Sequence, residues 1–364
     1  FPYTTLFRSE TGAEHYLNRI SCRTSEVVAK GGTELAETGN TAEQAELMAS
    51  ELFSEFFWNK LGPANHDWPC EDQERHKVKE HPCDVVYYYD EPYAARQTYV
   101  HCDLKSYAKG TIAVAAVKGA IESLAKQVAC AEKSETWRKL HTHDNVTFSV
   151  NGLLFVYNHD GEYEADFQKN LARIAPETLH LPRGSRLFVL GPKEIFWLDN
   201  IRDEIQRLRG RRTPEVSPPE HCFYFHPQLV RRANLQVRKA KAATLEMLTS
   251  PIIILEHHDP KGSAQRGVIV FYSRPGDTTD EFMYLIDTLR KYELLDDRTR
   301  VTVKTLGASP ISSPTFQKAQ LQYIEGLVGA NVATDLGDYV NAIRYEPMSH
   351  VKTTYSNIDL GTWG

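Results

Sequence analysis

The sequence predicts an α/β protein, with an N-terminal mixed sheet flanked by helices and a second α/β region behind it. Three observations point there. Apolar-aromatic runs at 84–89 and 97–102 lie between two helix-periodic stretches, 41–60 and 111–139. Strand and helix patterns then alternate through 146–210 and again through 266–327, the order that builds sheets covered by helices. A chain of 364 residues is long enough for two domains, each with its own core.

Each element has a local reason. Gly39-Asn40-Thr41 supplies an N-cap for a helix at 41–60, and Gly62-Pro63 stops it. Leu47, Leu52, Phe53, Phe56 and Phe57 form its apolar stripe. Two strands follow, separated by a loop containing Glu91-Pro92. The helix expected at 111–139 repeats Ala113, Ala116, Val117, Ala120, Ile121, Leu124 and Val128 at three- and four-residue steps, and its alanines imply close packing on a sheet.

Farther on, strands are expected at 146–157, 186–190, 267–272 and 301–306, with helices at 164–174, 193–208, 279–292 and 314–327. Overlaid at a shift of 115 residues, Tyr157 meets Tyr272, Gly161 meets Gly276, Asp166 meets Glu281 and Phe167 meets Phe282. An internal duplication explains these matches, and convergence on strand-turn-helix patterning explains them too. Residues 220–225 and 251–255, between the copies, are strand-like. The expected organisation is a first domain at 25–145, an accessory α/β domain at 146–345 and a tail at 346–364. Residues 1–9 read as a translated sequencing adapter and are set aside as a processing scar, with the true N-terminus missing or misassigned.

Chemistry concentrates at the two early strands. Residues i and i+2 of a strand share a face, so Asp103 and Lys105 point the same way and Leu104 the other. Asp84, at the start of the preceding strand, can approach Asp103 across the ladder. Two carboxylates and a lysine on neighbouring strands suit a hard divalent cation held against a phosphodiester. The run Pro82-Cys83-Asp84 followed by Asp103-Leu104-Lys105 resembles the PD-(D/E)xK, or restriction-endonuclease-like, nuclease superfamily. The match departs from the motif at Cys83, which separates the proline from the aspartate.

That resemblance implies a metal-dependent phosphodiesterase. Asp84 and Asp103 would bind Mg2+, with Mn2+ as a substitute, and Lys105 would assist the attacking water. Many members add a metal-contacting glutamate near the start of the preceding helix, which makes Glu43 and Glu46 candidates. The resemblance also implies a nucleic-acid substrate, DNA ahead of RNA, and an endonuclease of restriction, repair or phage-defence type whose second domain recognises or regulates. The competing readings are an inactive nuclease-fold module that binds nucleic acid or a protein, and an effector gated by a nucleotide signal.

Charge refines this. The net charge is −6, which excludes a globally basic nucleic-acid binder. Yet residues 183–241 carry thirteen Lys and Arg against six Asp and Glu. Arg207, Arg209, Arg211, Arg212, Arg231 and Arg232 are the candidate phosphate contacts there, and Lys109 is another beside the motif. Helix-end arginines paired with nearby acids are the competing explanation.

Six cysteines without CxxC spacing suit a reducing, cytoplasmic setting. His66, Cys70, His76, His81, Cys83, His101 and Cys102 cluster, but their spacings fit no established zinc pattern, so buried cysteines and loop histidines are expected over a structural zinc. No apolar run reaches membrane-spanning length. There is no Walker loop, GxSxG or HExxH, and no second catalytic centre is expected. A homo-oligomer or a regulatory protein partner would fit the accessory domain.

Overall fold

A computed structural model describes residues 34–174, 179–227, 240–258, 265–329 and 334–352. The first helix, α1 (Glu34–Glu55), begins before the expected cap and ends before the expected stop. Its end is a Schellman motif built without glycine. Phe57 takes φ 62°, its N–H donates to Ser54 O at 3.1 Å, and the Trp58 N–H donates to Phe53 O at 3.0 Å. Stacking of Trp58 on Phe53, with ring centroids 4.5 Å apart, adds the hydrophobic contact that accompanies this cap. The stop is therefore set by an aromatic pair, upstream of Gly62-Pro63.

After α1 come β1 (Asn59–Lys60), β2 (Trp68–Pro69), the one-turn α2 (Gln73–His76), β3 (Glu80–His81), β4 (Val85–Asp90) and β5 (Gln97–Tyr107). The helix expected at 111–139 divides into α3 (Val114–Ala131) and α4 (Glu135–His141). The N–H groups of Lys133 and Ser134 both turn back to Cys130 O, and the Ser134 hydroxyl caps α4 by accepting the Trp137 N–H at 3.4 Å. Then follow β6 (Phe148–Asn158), α5 (Phe167–Leu171), β7 (Leu187–Leu190) and α6 (Pro192–Gly210).

These strands make one mixed sheet in the order β1-β4-β5-β6-β7. β4 runs antiparallel to β1 and β5, while β6 runs parallel to β5 and β7. Across the boundary expected at residue 145, β6 pairs with β5 along its whole length, from Gln97↔Phe148 to Tyr107↔Asn158. A parallel partner arrives by a helical crossover and leaves no hairpin cue in the sequence. Gly152 in β6 faces Val128 of α3, and a Cβ there would meet the valine methyl at 2.9 Å, so the glycine permits the close approach of helix to sheet.

The remaining elements are β8 (Cys222–Tyr224), α7 (Leu245–Leu248), β9 (Ile252–His258), β10 (Arg266–Tyr272), α8 (Thr279–Lys291), β11 (Thr299–Thr305), α9 (Ser312–Gly329), α10 (Thr334–Asn341) and β12 (Arg344–Pro347). They form a second sheet, β12-β11-β10-β9-β8, with parallel pairs at the β12 end and antiparallel pairs at the β8 end. Within the stretch expected as a tail from 346, the described residues stay packed. Glu346 and Pro347 pair with β11, Met348 is buried, and the Lys352 N–H donates to Asn200 Oδ1 at 2.8 Å.

The two stretches likened to a duplication keep the same element order, strand-helix-strand-helix, each with a parallel strand pair, but they complete different sheets. The overlaid Gly161 and Gly276 both turn the chain with positive φ, at 66° and 77°.

Alternation along the strands divides the interior into three clusters. One face of the first sheet (Val86, Tyr99, Leu154, Val189) packs under α3, α4 and α5. Its opposite face (Val85, Tyr87, Cys102, Phe155) joins α1, α6 and the near face of the second sheet (Ile253, Leu255, Phe271) in a shared core. The far face of the second sheet (Val268, Val270, Val303) is covered by α8 and α9. Two hydrogen bonds seal the shared core: the Trp58 indole Nε1 donates to Ala243 O at 2.6 Å, and the Ala243 N–H to Phe56 O at 3.1 Å. Among the described residues no helix is long and apolar enough to cross a membrane.

Candidate active site

β5 continues past the end of β4, and that overhang makes the site. The antiparallel register reaches Val85↔Cys102, so one step farther places Asp84 opposite Asp103. Here the Leu104 N–H lacks a β4 carbonyl, and Asp84 Oδ2 accepts it at 2.6 Å. A side chain thus completes the ladder and fixes the Asp84 carboxylate against the strand carrying Asp103. Asp103 is buried at 6% exposure, whereas Lys105 is partly exposed and its Nζ lies on Asp103 Oδ1. Leu104 packs on the shared core behind them.

The electrostatics follow from this crowding. Burial pushes the Asp84 carboxyl up to about 6, and the neighbouring Asp103 carboxylate adds to the rise, against the Leu104 N–H and the Lys105 ammonium. For Lys105, burial acts to lower the pKa, but the Asp103 and Asp84 carboxylates outweigh it and hold the ammonium above its ordinary value. Lys105 therefore stays protonated at neutral pH. Two facing carboxylates with one resisting ionisation form a donor set that a divalent cation fits, since its charge relieves their repulsion.

The raised Asp84 value has a consequence for stability. Its folded pKa lies above the unfolded one, so ionisation costs stability as pH rises from about 4 through about 6. Asp84→Asn keeps an oxygen for the Leu104 N–H and removes the charge. In magnesium-free buffer at about pH 8 the variant is expected to unfold with about 1–3 kcal/mol more stability than the parent, and to lose that gain below about pH 4. Denaturant melts at the two pH values measure it, and an equal or lower stability at the higher pH would contradict it.

The structure separates the two helix glutamates. Glu46 accepts from Lys60 Nζ and Asn65 Nδ2, both at 3.3 Å, and the Asn65 N–H donates to the Asp84 carbonyl at 2.9 Å. Glu46 is therefore tied to the loop beside Asp84, while Glu43 is exposed on α1. Both were chosen as lying near the start of the helix, and because α1 starts at Glu34 they lie farther along it. Glu46→Gln is expected to lower cleavage about tenfold and Glu43→Gln to leave it unchanged, as initial rates at fixed metal would read.

The basic candidates scatter. Lys109 follows β5 in a 3-10 turn (Lys109–Thr111), held there by its N–H to Asp160 Oδ2 at 2.8 Å. Ser106, between Lys105 and that turn, meets His159 Nδ1 at 3.0 Å. Arg207 forks onto Glu204 through Nε at 2.9 Å and Nη2 at 2.7 Å. Arg209 pairs with Glu55 at 2.8 Å, and Arg211 pairs with Glu215. Arg212 is exposed, and Arg231 and Arg232 lie outside the described residues. Three of the arginines chosen by charge counting thus serve carboxylates of their own fold. Asn65 and the Leu104 N–H, which shape the Asp84 environment, carried no signal in the sequence.

Comparison with known proteins places this geometry. Residues 35–194 match the family model described as the GAPS4 protein PD-(D/E)XK nuclease domain. No curated protein and no solved structure matches the chain. The matched stretch runs from α1 into the start of α6 and contains every strand of the first sheet together with Asp84, Asp103 and Lys105. Over residues 35–194 the chain is thus similar to a PD-(D/E)XK nuclease domain, which supports the superfamily resemblance carried by Asp84, Asp103 and Lys105.

Proposed function

We propose that the protein is a divalent-cation-dependent DNA endonuclease of restriction, repair or phage-defence type, with Asp84, Asp103 and Lys105 as its catalytic residues. The observation that carries this reading is the facing of Asp84 and Asp103 at the overhang of β5, with the Lys105 ammonium on the latter. Asp84 and Asp103 would hold Mg2+, with Mn2+ as a substitute, and Glu46 on α1 is linked through Asn65 to the Asp84 backbone. When bound, the cation polarises the phosphoryl group and makes water a better nucleophile.

The remaining work belongs to the side chains. Asp103 keeps the Lys105 ammonium at the mouth of the site, where its free N–H groups can meet an incoming phosphate or water. As the phosphorus gains a fifth oxygen, that fixed positive charge stabilises the accumulating negative charge. A lysine held charged is suited to orienting water and neutralising phosphate rather than to removing a proton. Lys109, two residues past the end of β5, would meet a neighbouring backbone phosphate.

Plasmid, single-stranded DNA and RNA substrates offered with Mg2+ or Mn2+ test the reading. Metal-dependent products from the parent, absent with Asp103→Ala and Lys105→Ala, are expected, with DNA cut faster than RNA. Equal cutting by parent and variants would refute the assignment. A second reading, gating by an anionic small molecule, is favoured by one feature: a cleft of about 1250 Å3 between the two sheets, lined by Arg96, Arg186, Lys193 and Arg274. Arg186 is already paired with Glu246 at 2.7 Å, and Glu91 and Glu194 also line the cleft. Nucleotides added to the cleavage assay separate gated from constitutive activity.

A further inference from the structure

Beneath α3 lies a cluster that the nuclease chemistry does not use. The hairpin of β2 and β3 pairs Trp68 with His81 and wraps the single turn of α2, so Cys70, His76 and His81 converge within one short segment. Cys130, near the C-terminal end of α3, closes the group from the other side. All four residues are buried, and one donor atom from each lies within 4.8 Å of the others.

The separations match a metal polyhedron. Tetrahedral zinc, with bonds of about 2.3 Å to sulfur and 2.0–2.1 Å to nitrogen, sets S···S near about 3.8 Å and S···N near about 3.5 Å. Cys70 Sγ and Cys130 Sγ are 3.8 Å apart, and His76 Nδ1 lies 3.5 Å from the first and 3.3 Å from the second. A disulfide, at about 2.0 Å, is not what these sulfurs form. Independently, His81 is only 3% exposed, and its buried Nε2 has no hydrogen-bond partner among the described residues. A buried imidazole nitrogen with nothing to bond is costly unless a ligand uses it.

The loop is also built to hold the ligands before any ion arrives. The Cys70 N–H donates to Lys79 O at 2.9 Å, Lys77 takes φ 60°, and Lys126 of α3 reaches His76 O at 3.4 Å. Trp68 lies over His81, with ring centroids 4.9 Å apart.

We infer that Cys70, His76, His81 and Cys130 form a Cys2His2 zinc site that staples the β2–β3 hairpin to α3. Four protein donors leave no open position, so the site is structural rather than catalytic. Its ligands are two thiolates and two imidazoles, and hard-cation chemistry stays with the carboxylates at Asp84 and Asp103. His81 precedes Pro82-Cys83-Asp84 directly, so the staple also sets where the chain enters β4 and delivers Asp84.

The test is metal content together with cobalt spectroscopy on the full chain. One zinc per chain is expected by elemental analysis, released when a mercurial blocks the thiols and retained in Asp103→Asn. Refolding with Co2+ should give the strong visible bands of tetrahedral cobalt and a near-ultraviolet thiolate charge-transfer band. Cys130→Ser and His81→Ala should each lose most of the bound zinc and melt at lower temperature. If either variant fails to fold, the parent's cobalt spectrum still decides. A parent chain that takes up neither ion when both are offered during refolding would overturn the site. So would cobalt bound without a thiolate band, or zinc retained in full by Cys70→Ser and Cys130→Ser. None of these outcomes depends on cleavage, so the zinc site and the nuclease assignment can fail separately.

Discussion

Lys105→Ala is expected to lower cation-dependent cleavage about 10²–10⁴-fold while leaving the fold intact. The lysine is partly exposed at a strand overhang, so truncating it opens no core cavity. On the proposed mechanism, what would disappear is a positive charge aimed at the reacting phosphate. Asp103→Asn should cost at least as much, since it weakens the cation site and frees the Lys105 ammonium. The double variant should lose little more than the worse single one, because the two residues act as a unit. Lys105→Arg should rescue poorly, since a planar guanidinium cannot place its donors as a compact ammonium does. Single-turnover rates at saturating Mg2+, beside far-ultraviolet dichroism of each variant, measure this. A folded Lys105→Ala variant cutting at the parental rate would remove Lys105 from the mechanism.

Arg209→Ala is expected to destabilise the protein by about 3–5 kcal/mol, as loss of one member of a buried ion pair does. Arg209 on α6 and Glu55 at the end of α1 are both largely buried, 2.8 Å apart. Burial already raises the Glu55 pKa, and Arg209 is the main group opposing that rise. Without the arginine, the buried Glu55 keeps only the Gln206 side chain and the Arg202 charge against its desolvation, between the two helices that carry the shared core. Glu55→Gln in the same background should recover part of the loss, because it removes the unpaired charge. Denaturant unfolding of the two variants tests this. A phosphate-binding Arg209 would instead leave stability unchanged and weaken DNA binding with a reduced salt slope.

The contrast between those residues shows what could be read along the chain. Asp84, Asp103 and Lys105 were legible because a strand's period of two dictates which side chains share a face, and the Asp-x-Lys spacing carries that geometry in itself. The helix-strand-strand-helix order and the later strand-helix alternation were legible for the same reason, since periodicity is local. The pairing of Arg207 with Glu204 and of Arg209 with Glu55 was not legible, because charge along a sequence does not say which carboxylate will face it. The extension of the first sheet through β6 was hidden because parallel neighbours meet only after a crossover.

The cysteine and histidine cluster makes the division plainest. Seven residues looked equivalent in sequence, and the fold selects three of them: Cys70, His76 and His81. His101 is instead consumed by Gln127 and Trp137, and Cys102 turns into the shared core. The fourth member, Cys130, comes from a helix far along the chain. The α/β class and the strand pair that carries Asp84, Asp103 and Lys105 could be read along the chain, because short-range alternation encodes them. Which buried donors meet, which arginines are neutralised and where the sheet ends emerged only with the fold, because those depend on contacts between segments that no local pattern records.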